Sequence, residues 1–274
     1  MKRQLSFRED LLLSYAIEGR IQPVLAIINS LNNLEVNDSN YMKFRFLQLE
    51  LIIKQCELMS DIAGYVHSID NEFIDKNKMI DECYESIVDI RGSDIKDFFY
   101  NIDKKDRQYF FNLLGYDLLQ NVSVDSEAID KSIDIVISSF KQMKDFYNLF
   151  WPVYNSYKHG YRLFLDKTSI EMVQSKNVTG RMPIDTIIYA DPKKKDTAKV
   201  IGFNRSKARY KLSYFYILQG IVNAFSLRLL AAIDFRHSDL SQINIPYIKL
   251  FKNMDGDHKN ILIYPEYLGN IWKQ

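Results

Sequence analysis

Apolar residues recur every three or four positions along most of this chain, the spacing of one buried face on an α-helix. The longest such pattern runs from about Ser126 to Leu165, and another strong one runs from about Asn40 to Ser68. The pattern predicts a mostly α-helical protein built as a bundle. The predicted helices cover about residues 6–33, 40–68, 80–91, 93–100, 103–114, 126–165 and 206–235.

Residues typical of helix ends mark several of these boundaries. Ser6 and Glu9 have the spacing of a capping box, and Pro23 should break or kink the first helix after Gln22. Further along, glycines supply the predicted stops, and serine or aspartate supplies the predicted caps. The stops are Gly92 and Gly115, and the caps are Ser93, Asp103 and the pair Asp125-Ser126.

Two parts of the chain have β-like patterns. Residues 186–190 and 199–203 are short apolar runs separated by a polar segment with Pro192 and three lysines, which predicts a protruding hairpin. A second hairpin is indicated around Asp255-Gly256, between residues 247–251 and 261–264. The expected architecture is therefore a helical bundle with one or two β-hairpin insertions.

The chain contains neither an internal repeat nor a Gly/Ser- or Pro-rich linker, which favours one domain with insertions. We expect a single helical domain over residues 1–274, with an acidic helical insertion at 70–124 and a hairpin insertion at 170–205. Residues 238–274 form a tail without regular periodicity.

Composition limits the possible settings of the protein. Of 274 residues, 47% are hydrophobic and 26% are charged, so the chain can bury a core. Only Cys56 and Cys83 are cysteines, which predicts a reducing compartment, and Cys56 lies on an apolar stripe as core filler. No apolar run approaches the roughly 20 residues that span a bilayer. We therefore expect a cytoplasmic protein without membrane contact.

The net charge of +1 argues against a DNA-coating role, but the charge is unevenly distributed. Residues 61–106 contain twelve acidic and six basic side chains, whereas residues 191–211 contain eight basic and two acidic ones. Such poles can steer an anion towards one side of the protein or pair two subunits.

Polar residues gather along one flank of the long helical pattern near its end. At about 100° per residue, one flank carries a seam of polar side chains. The members of this seam are Asn148, Asn155, His159, Arg162 and Asp166. Pro152 removes a backbone donor one turn before Asn155 and leaves polar backbone available there.

The residue types of the seam suit chemistry on a phosphodiester. Asn155 and His159 stand four positions apart, so the amide can orient an imidazole that exchanges protons near neutral pH. Lys158 and Arg162 would contact phosphate, and Tyr154, Tyr157 and Tyr161 could stack on bases. A structural alternative stays open, in which Asn155 and His159 form a satisfied hydrogen bond and the tyrosines are core and rim.

The run Asn155-Ser156-Tyr157-Lys158-His159-Gly160 resembles the motif near the end of a core helix in HEPN-type proteins, a superfamily of helical nucleotide-binding and ribonuclease domains. The resemblance implies an antiparallel bundle of four to five helices that dimerises and brings two motifs together. It implies metal-independent action on RNA, with His159 as the histidine and Asn155 as the polar residue. Tyr154 takes the place of the family's arginine, and Arg162 lies one turn later on the same flank.

Three functions remain open from the sequence. The first is an RNA-acting homodimer, such as an endoribonuclease toxin or defence effector with an antitoxin or regulatory partner, in which His159 is the general acid/base. The second is a non-catalytic module that binds a nucleotide, RNA or a protein. The third is a structural dimerisation protein with a closed seam. None of them requires a cofactor or metal, and His67 and residues 193–195 are weaker site candidates.

Overall fold

The computed structural model confirms that the protein is mostly helical. The described helices are α1 (Phe7–Leu13), α2 (Glu18–Asn32), α3 (Tyr41–Asp70), α4 (Gly92–Asn101), α5 (Arg107–Leu113), α6 (Ser126–Lys158) and α7 (Leu212–Ala232). Two 3₁₀ turns cover Ile102–Lys104 and Tyr116–Leu119. The structure describes residues 6–13, 18–35, 39–70, 84–85, 88–119, 124–158, 163–174, 177–190, 198–203, 212–232, 247–252 and 261–263.

The described strands form two antiparallel sheets. Strands β1 (Leu163–Gln174), β2 (Asn177–Ala190) and β3 (Ala198–Phe203) form a sheet in that order, with an irregularity between Met172 and Val173. Strand β4 (Ile248–Leu250) pairs with β5 (Ile261–Ile263). The segments predicted as strands around 186–190 and 199–203 pair with each other as β2 and β3.

The chain divides into two compact units. The first contains residues 1–18, 58–144 and 211–274, and the second contains residues 19–57 and 145–210. Among the described helices, none combines the length and the apolar content that crossing a lipid bilayer requires.

In the first unit, α7 is a buried helix. Every side chain described in it is buried or half-buried, as expected for a helix that is apolar on all sides. Phe225 of α7 meets Tyr65 of α3 edge to face, with ring centroids 6.1 Å apart. Strand β4 is buried at all three positions. The core of this unit is therefore assembled from segments far apart in the sequence.

Buried hydrogen bonds fix strand β4 in the first unit. The Tyr116 hydroxyl lies 2.5 Å from Ser132 Oγ and donates to the Lys249 carbonyl oxygen at 2.9 Å. The Phe251 backbone N–H donates to the same Ser132 hydroxyl at 2.8 Å. Because buried polar groups without partners are costly, this network fixes the register of the strand against α6.

The observed helix starts correct several predictions. Ser6 and Glu9 do form the predicted capping box. Gly92, however, begins α4 instead of ending a helix, and the cap there is Arg91, whose N–H donates to the Asp94 carboxylate, rather than Ser93. Asp106, and not Asp103, caps α5 by accepting from the Tyr109 N–H. Asp103 and Asp106 both fit the preference for aspartate at a helix N-cap, so tertiary packing decides at which of them α5 begins.

Two predicted helix ends are also corrected, and the alternative of a kink at Pro23 stays a prediction. Helix α2 continues through Pro23, so the proline does not end it at Gln22. Helix α6 is described to Lys158, and Phe164 and Asp166 lie in β1, where Asp166 pairs with Thr186. The three-and-four spacing of aromatic residues therefore extended the predicted helix too far.

Gly115 ends α5 as predicted, because its φ of +75° lies in the left-handed region. A Cβ there would lie 2.8 Å from Ile248 Cδ1 and 2.9 Å from Ala224 Cβ. We expect Gly115→Ala to lower the free energy of unfolding by about 1–3 kcal/mol, through backbone strain and crowding. Urea denaturation measures this loss.

Gly64→Ala is the matched control for Gly115→Ala. Gly64 lies inside α3, and a Cβ there would meet Ile90 Cδ1 at an ordinary 3.5 Å. The higher helix propensity of alanine should raise stability by up to about 1 kcal/mol. If the two substitutions changed the free energy of unfolding in the same direction, the assignment of strain to Gly115 would be contradicted.

Candidate functional site

The last two turns of α6, in the second unit, carry part of the predicted polar seam. The helix continues through Pro152, which lacks a backbone donor for the carbonyl of Asn148. Burial alternates sharply in this segment, because one face packs inward while the other faces solvent. Val153, Tyr154 and Ser156 are buried, whereas Asn155, Tyr157 and Lys158 are exposed.

The Tyr157 hydroxyl is held by a carboxylate on α3. It donates a hydrogen bond to Glu50 Oε1 at 2.8 Å. This bond, followed by burial and the charges of Glu50 and Glu57, raises the pKa of Tyr157 to about 12. The phenol is therefore protonated at neutral pH and acts as a hydrogen-bond donor between the two helices.

The Tyr154 ring is enclosed by its neighbours on α6. It is only 4% exposed, and its centroid lies 5.0 Å from that of Trp151. Lys158 Nζ lies 4.3 Å from the Tyr154 ring centroid, within the range of a cation–π contact. Tyr154 is thus a core residue with a covered face, and that face is occupied by Lys158 rather than open to a base.

A charged row on α3 adjoins this surface in the second unit. Glu57 Oε2 lies 3.0 Å from Lys54 Nζ and 3.6 Å from Arg20 of α2. Because the charge of Glu57 also acts on the Tyr157 phenol, this row and the end of α6 belong to one neighbourhood. The surface therefore mixes carboxylates with basic groups, which limits its attraction for a phosphate.

Cys56 lies next to Glu57 on α3 and is fully buried. Burial raises the pKa of its thiol well above the ordinary value; Glu57 adds to the effect and Lys158 opposes it. A thiol of this kind is protonated and unreactive at neutral pH. Its environment agrees with the prediction that Cys56 fills the core.

The structure places only part of the predicted site. Asn155 and Lys158 are exposed on the last turns of α6, and the Asn155 side chain makes no hydrogen bond within the described part of the chain. His159, Gly160, Tyr161 and Arg162 lie outside the described residues. The predicted contact between Asn155 and His159 therefore stays a prediction.

The remaining predicted candidates are His67, which the structure describes, and two segments that lie outside the described residues. His67 is half-buried in the last turn of α3. Lysines 193–195 and the segment 255–258 lie outside the described residues. Across the described residues, no group of three or more His, Cys, Asp or Glu side chains is placed to hold a metal ion.

Sequence reasoning missed the α3 side of the site. Glu50, Lys54 and Glu57 are spaced four and three residues apart, so they form a polar row on a helix that also carries a broad apolar face. This spacing was the available signal. The apolar residues of α3 are more numerous than this row and determine the helical pattern of the segment.

Titration of Tyr157 tests its hydrogen bond to Glu50 directly. In the folded protein, the Tyr157 phenol should reach half ionisation only near pH 12, and Glu50→Gln should return its pKa towards the ordinary value near 10. The raised pKa means that the Tyr157–Glu50 contact contributes stability below pH 10 and loses it as the pH rises through 12. NMR of ¹³C-labelled tyrosine, assigned with Tyr157→Phe, measures the titration up to about pH 11. A Tyr157 resonance that titrates near pH 10 in the wild-type protein would exclude the hydrogen bond.

The chain was compared with known proteins at three levels. No family model, curated protein sequence or solved structure matches it.

Proposed function

We propose that this chain is an HEPN-like RNA-acting protein that works as a metal-independent endoribonuclease toxin or defence effector, and that its site lies at the end of α6. In this proposal the helices form an antiparallel bundle of four to five, β1 to β3 belong to an insertion, and two copies pair as a homodimer. The supporting observation is that Asn155 and Lys158, which lie four residues and one residue before His159, are both exposed.

Each residue of the proposed site has a distinct role. His159 takes the proton of a ribose 2′-hydroxyl as that oxygen attacks the adjacent phosphorus. The bond from phosphorus to the 5′-oxygen breaks and that oxygen receives the proton, which yields a 2′,3′-cyclic phosphate and a free 5′-hydroxyl. Asn155, one turn earlier, orients the imidazole. Lys158 and Arg162 neutralise the phosphate, and a small movement of the Lys158 amine off the Tyr154 ring would bring it to the RNA backbone. Tyr157 lies at the rim as a further contact.

One observation favours a second function, a non-catalytic module that binds RNA, a nucleotide or a protein partner. Tyr154 occupies the position of the family's arginine and is buried, so it supplies no cation to a transition state. Glu50 adds a carboxylate next to Tyr157. In this second proposal Lys158 still binds phosphate, but no bond is cleaved.

Expression in a bacterial host tests the first proposal. Wild-type protein should arrest growth, and His159→Ala should relieve the arrest, whereas His67→Ala should leave it intact as a histidine control. The purified protein should cleave RNA to cyclic-phosphate ends in the presence of EDTA. Equal growth of cells with the wild-type and His159→Ala proteins, together with uncut RNA, would exclude the catalytic proposal.

Binding measurements separate the second proposal from a purely structural role. A labelled RNA should bind without turnover, and its affinity should fall as the salt concentration rises. Lys158→Glu should weaken binding, whereas Lys131→Glu, on an exposed turn of α6 in the first unit, should have less effect. Binding that ignores both salt and Lys158→Glu would exclude this surface as the phosphate site.

A further inference from the structure

Lys249 has an environment unlike that of the exposed lysines described. It lies in β4 between the buried residues Ile248 and Leu250, and only 4% of its surface is exposed. Its Nζ donates a hydrogen bond to Gln219 Oε1 at 3.0 Å and lies 4.1 Å from the Tyr216 ring centroid. Within the described residues no carboxylate pairs with it, so a neutral amide and an aromatic ring are its partners.

The backbone that carries this amine is fixed by buried hydrogen bonds. The Lys249 carbonyl accepts from the Tyr116 hydroxyl, and the Ser132 hydroxyl accepts from the Phe251 N–H two residues later. Both anchoring side chains are buried. A strand held in this way presents its side chain in a reproducible geometry, which favours a reactive group over a mobile surface lysine.

The two side chains that contact the amine most closely are less buried than Lys249 itself. Tyr216 and Gln219, which contact Nζ, are both half-buried residues on one side of α7. The Phe251 ring centroid lies 5.9 Å from Nζ, so the amine has a second aromatic neighbour. A small planar molecule that approaches along Tyr216 would meet the amine between aromatic surfaces.

We propose that Lys249 is a covalent attachment site at which its amine condenses with a small aromatic aldehyde. The nitrogen lone pair forms a bond to the aldehyde carbon, and the carbonyl oxygen takes up a proton to give a carbinolamine. Loss of that hydroxyl as water leaves a carbon–nitrogen double bond. The reaction consumes one amine and one aldehyde and releases one water, so it needs neither an oxidant nor a reductant.

The charge state of the amine supports this chemistry. Burial lowers the pKa of Lys249 to about 8, so about a quarter of the amine is neutral at about pH 7.5. Among the described ionisable groups, the Tyr216 phenol lies against the amine, and the Tyr116 hydroxyl bonds to the Lys249 carbonyl. Burial raises the pKa of both, so they stay uncharged over this range.

Lys131 is the matched exposed lysine. Its side chain is 69% exposed and pairs with Glu127, and that hydrogen bond raises the pKa of Lys131 above 10.5. Its neutral fraction at about pH 7.5 is then about one in a thousand or less. A less basic amine is intrinsically slower by about 10-fold if it follows a Brønsted coefficient of about 0.4–0.5, as thiols do. Lys249 should therefore react about 10-fold faster than Lys131, or more.

The experiment treats the full-length protein with benzaldehyde and cyanoborohydride, which traps the imine, and measures labelling of each lysine by peptide mass spectrometry. Lys249 should be labelled about 10-fold faster than Lys131 at about pH 7.5, with a pH midpoint near 8. Gln219→Glu places a carboxylate beside the amine without changing the size of the side chain. It should slow labelling of Lys249 by about 10-fold or more, because an adjacent negative charge favours the protonated amine.

Two results would overturn the proposal. One is labelling of Lys249 no faster than that of Lys131 in the wild-type protein, which would show that the amine is closed to aldehydes. The other is an unchanged rate in a folded Gln219→Glu variant, which would show that the contact with Gln219 does not control the amine.

Discussion

Replacing Phe140 by alanine is expected to lower the free energy of unfolding by about 3–5 kcal/mol. Phe140 of α6 is 1% exposed, and its ring lies 6.0 Å from that of Phe98 and 5.6 Å from that of Phe110. Phe98 and Phe110 belong to α4 and α5, so this one side chain joins three helices of the first unit. Alanine would leave a cavity that fixed helices cannot close.

Urea denaturation measures this loss, and two variants of the same helix bracket it. Ser138→Ala changes an exposed position two residues earlier and should alter stability by less than about 0.5 kcal/mol. Phe140→Leu keeps most of the apolar volume and should lose less than the alanine variant. If Phe140→Ala is no less stable than Ser138→Ala, the Phe98–Phe110–Phe140 cluster does not hold these helices together.

The start of α6 was predictable from sequence, but its end was not. Asp125 accepts from the Glu127 N–H at the first turn, which is the local cap that the sequence indicates. At the other end, Phe164 continues the three-and-four spacing of apolar residues but lies in β1. Large aromatic residues suit a strand as well as a helix, so periodicity alone could not separate the two.

The candidate site was predictable only along one helix. The exposure of Asn155 and Lys158 follows from their position on the flank of the α6 stripe. The partner of Tyr157 does not, because Glu50 lies 107 residues earlier. Contacts of this length depend on how helices pack, and a single sequence carries no direct record of that packing.

Lys249→Met is expected to stabilise the protein below pH 8, by up to about 3 kcal/mol, since its amine is buried without a described carboxylate partner. This upper bound corresponds to the difference between the ordinary pKa of 10.5 and the pKa of about 8 in the folded protein. Methionine keeps the apolar stem of the side chain and removes the charge that burial disfavours. Loss of the hydrogen bond to Gln219 offsets part of the gain, but Gln219 is half-buried and can bond to water.

The pH dependence distinguishes this effect from better packing. Below pH 8 both the folded and unfolded wild-type chains hold the Lys249 proton, and the folded chain bears the full cost of the buried charge. Between pH 8 and 10.5 the unfolded chain binds more protons, so wild-type stability rises with pH and the advantage of methionine shrinks. Urea denaturation at about pH 7, 9 and 10.5 follows this change, with Lys131→Met as an exposed control that should lack it. A stability advantage of Lys249→Met that is the same at all three pH values would come from packing, and would show that the amine is not held in a charge-excluding environment.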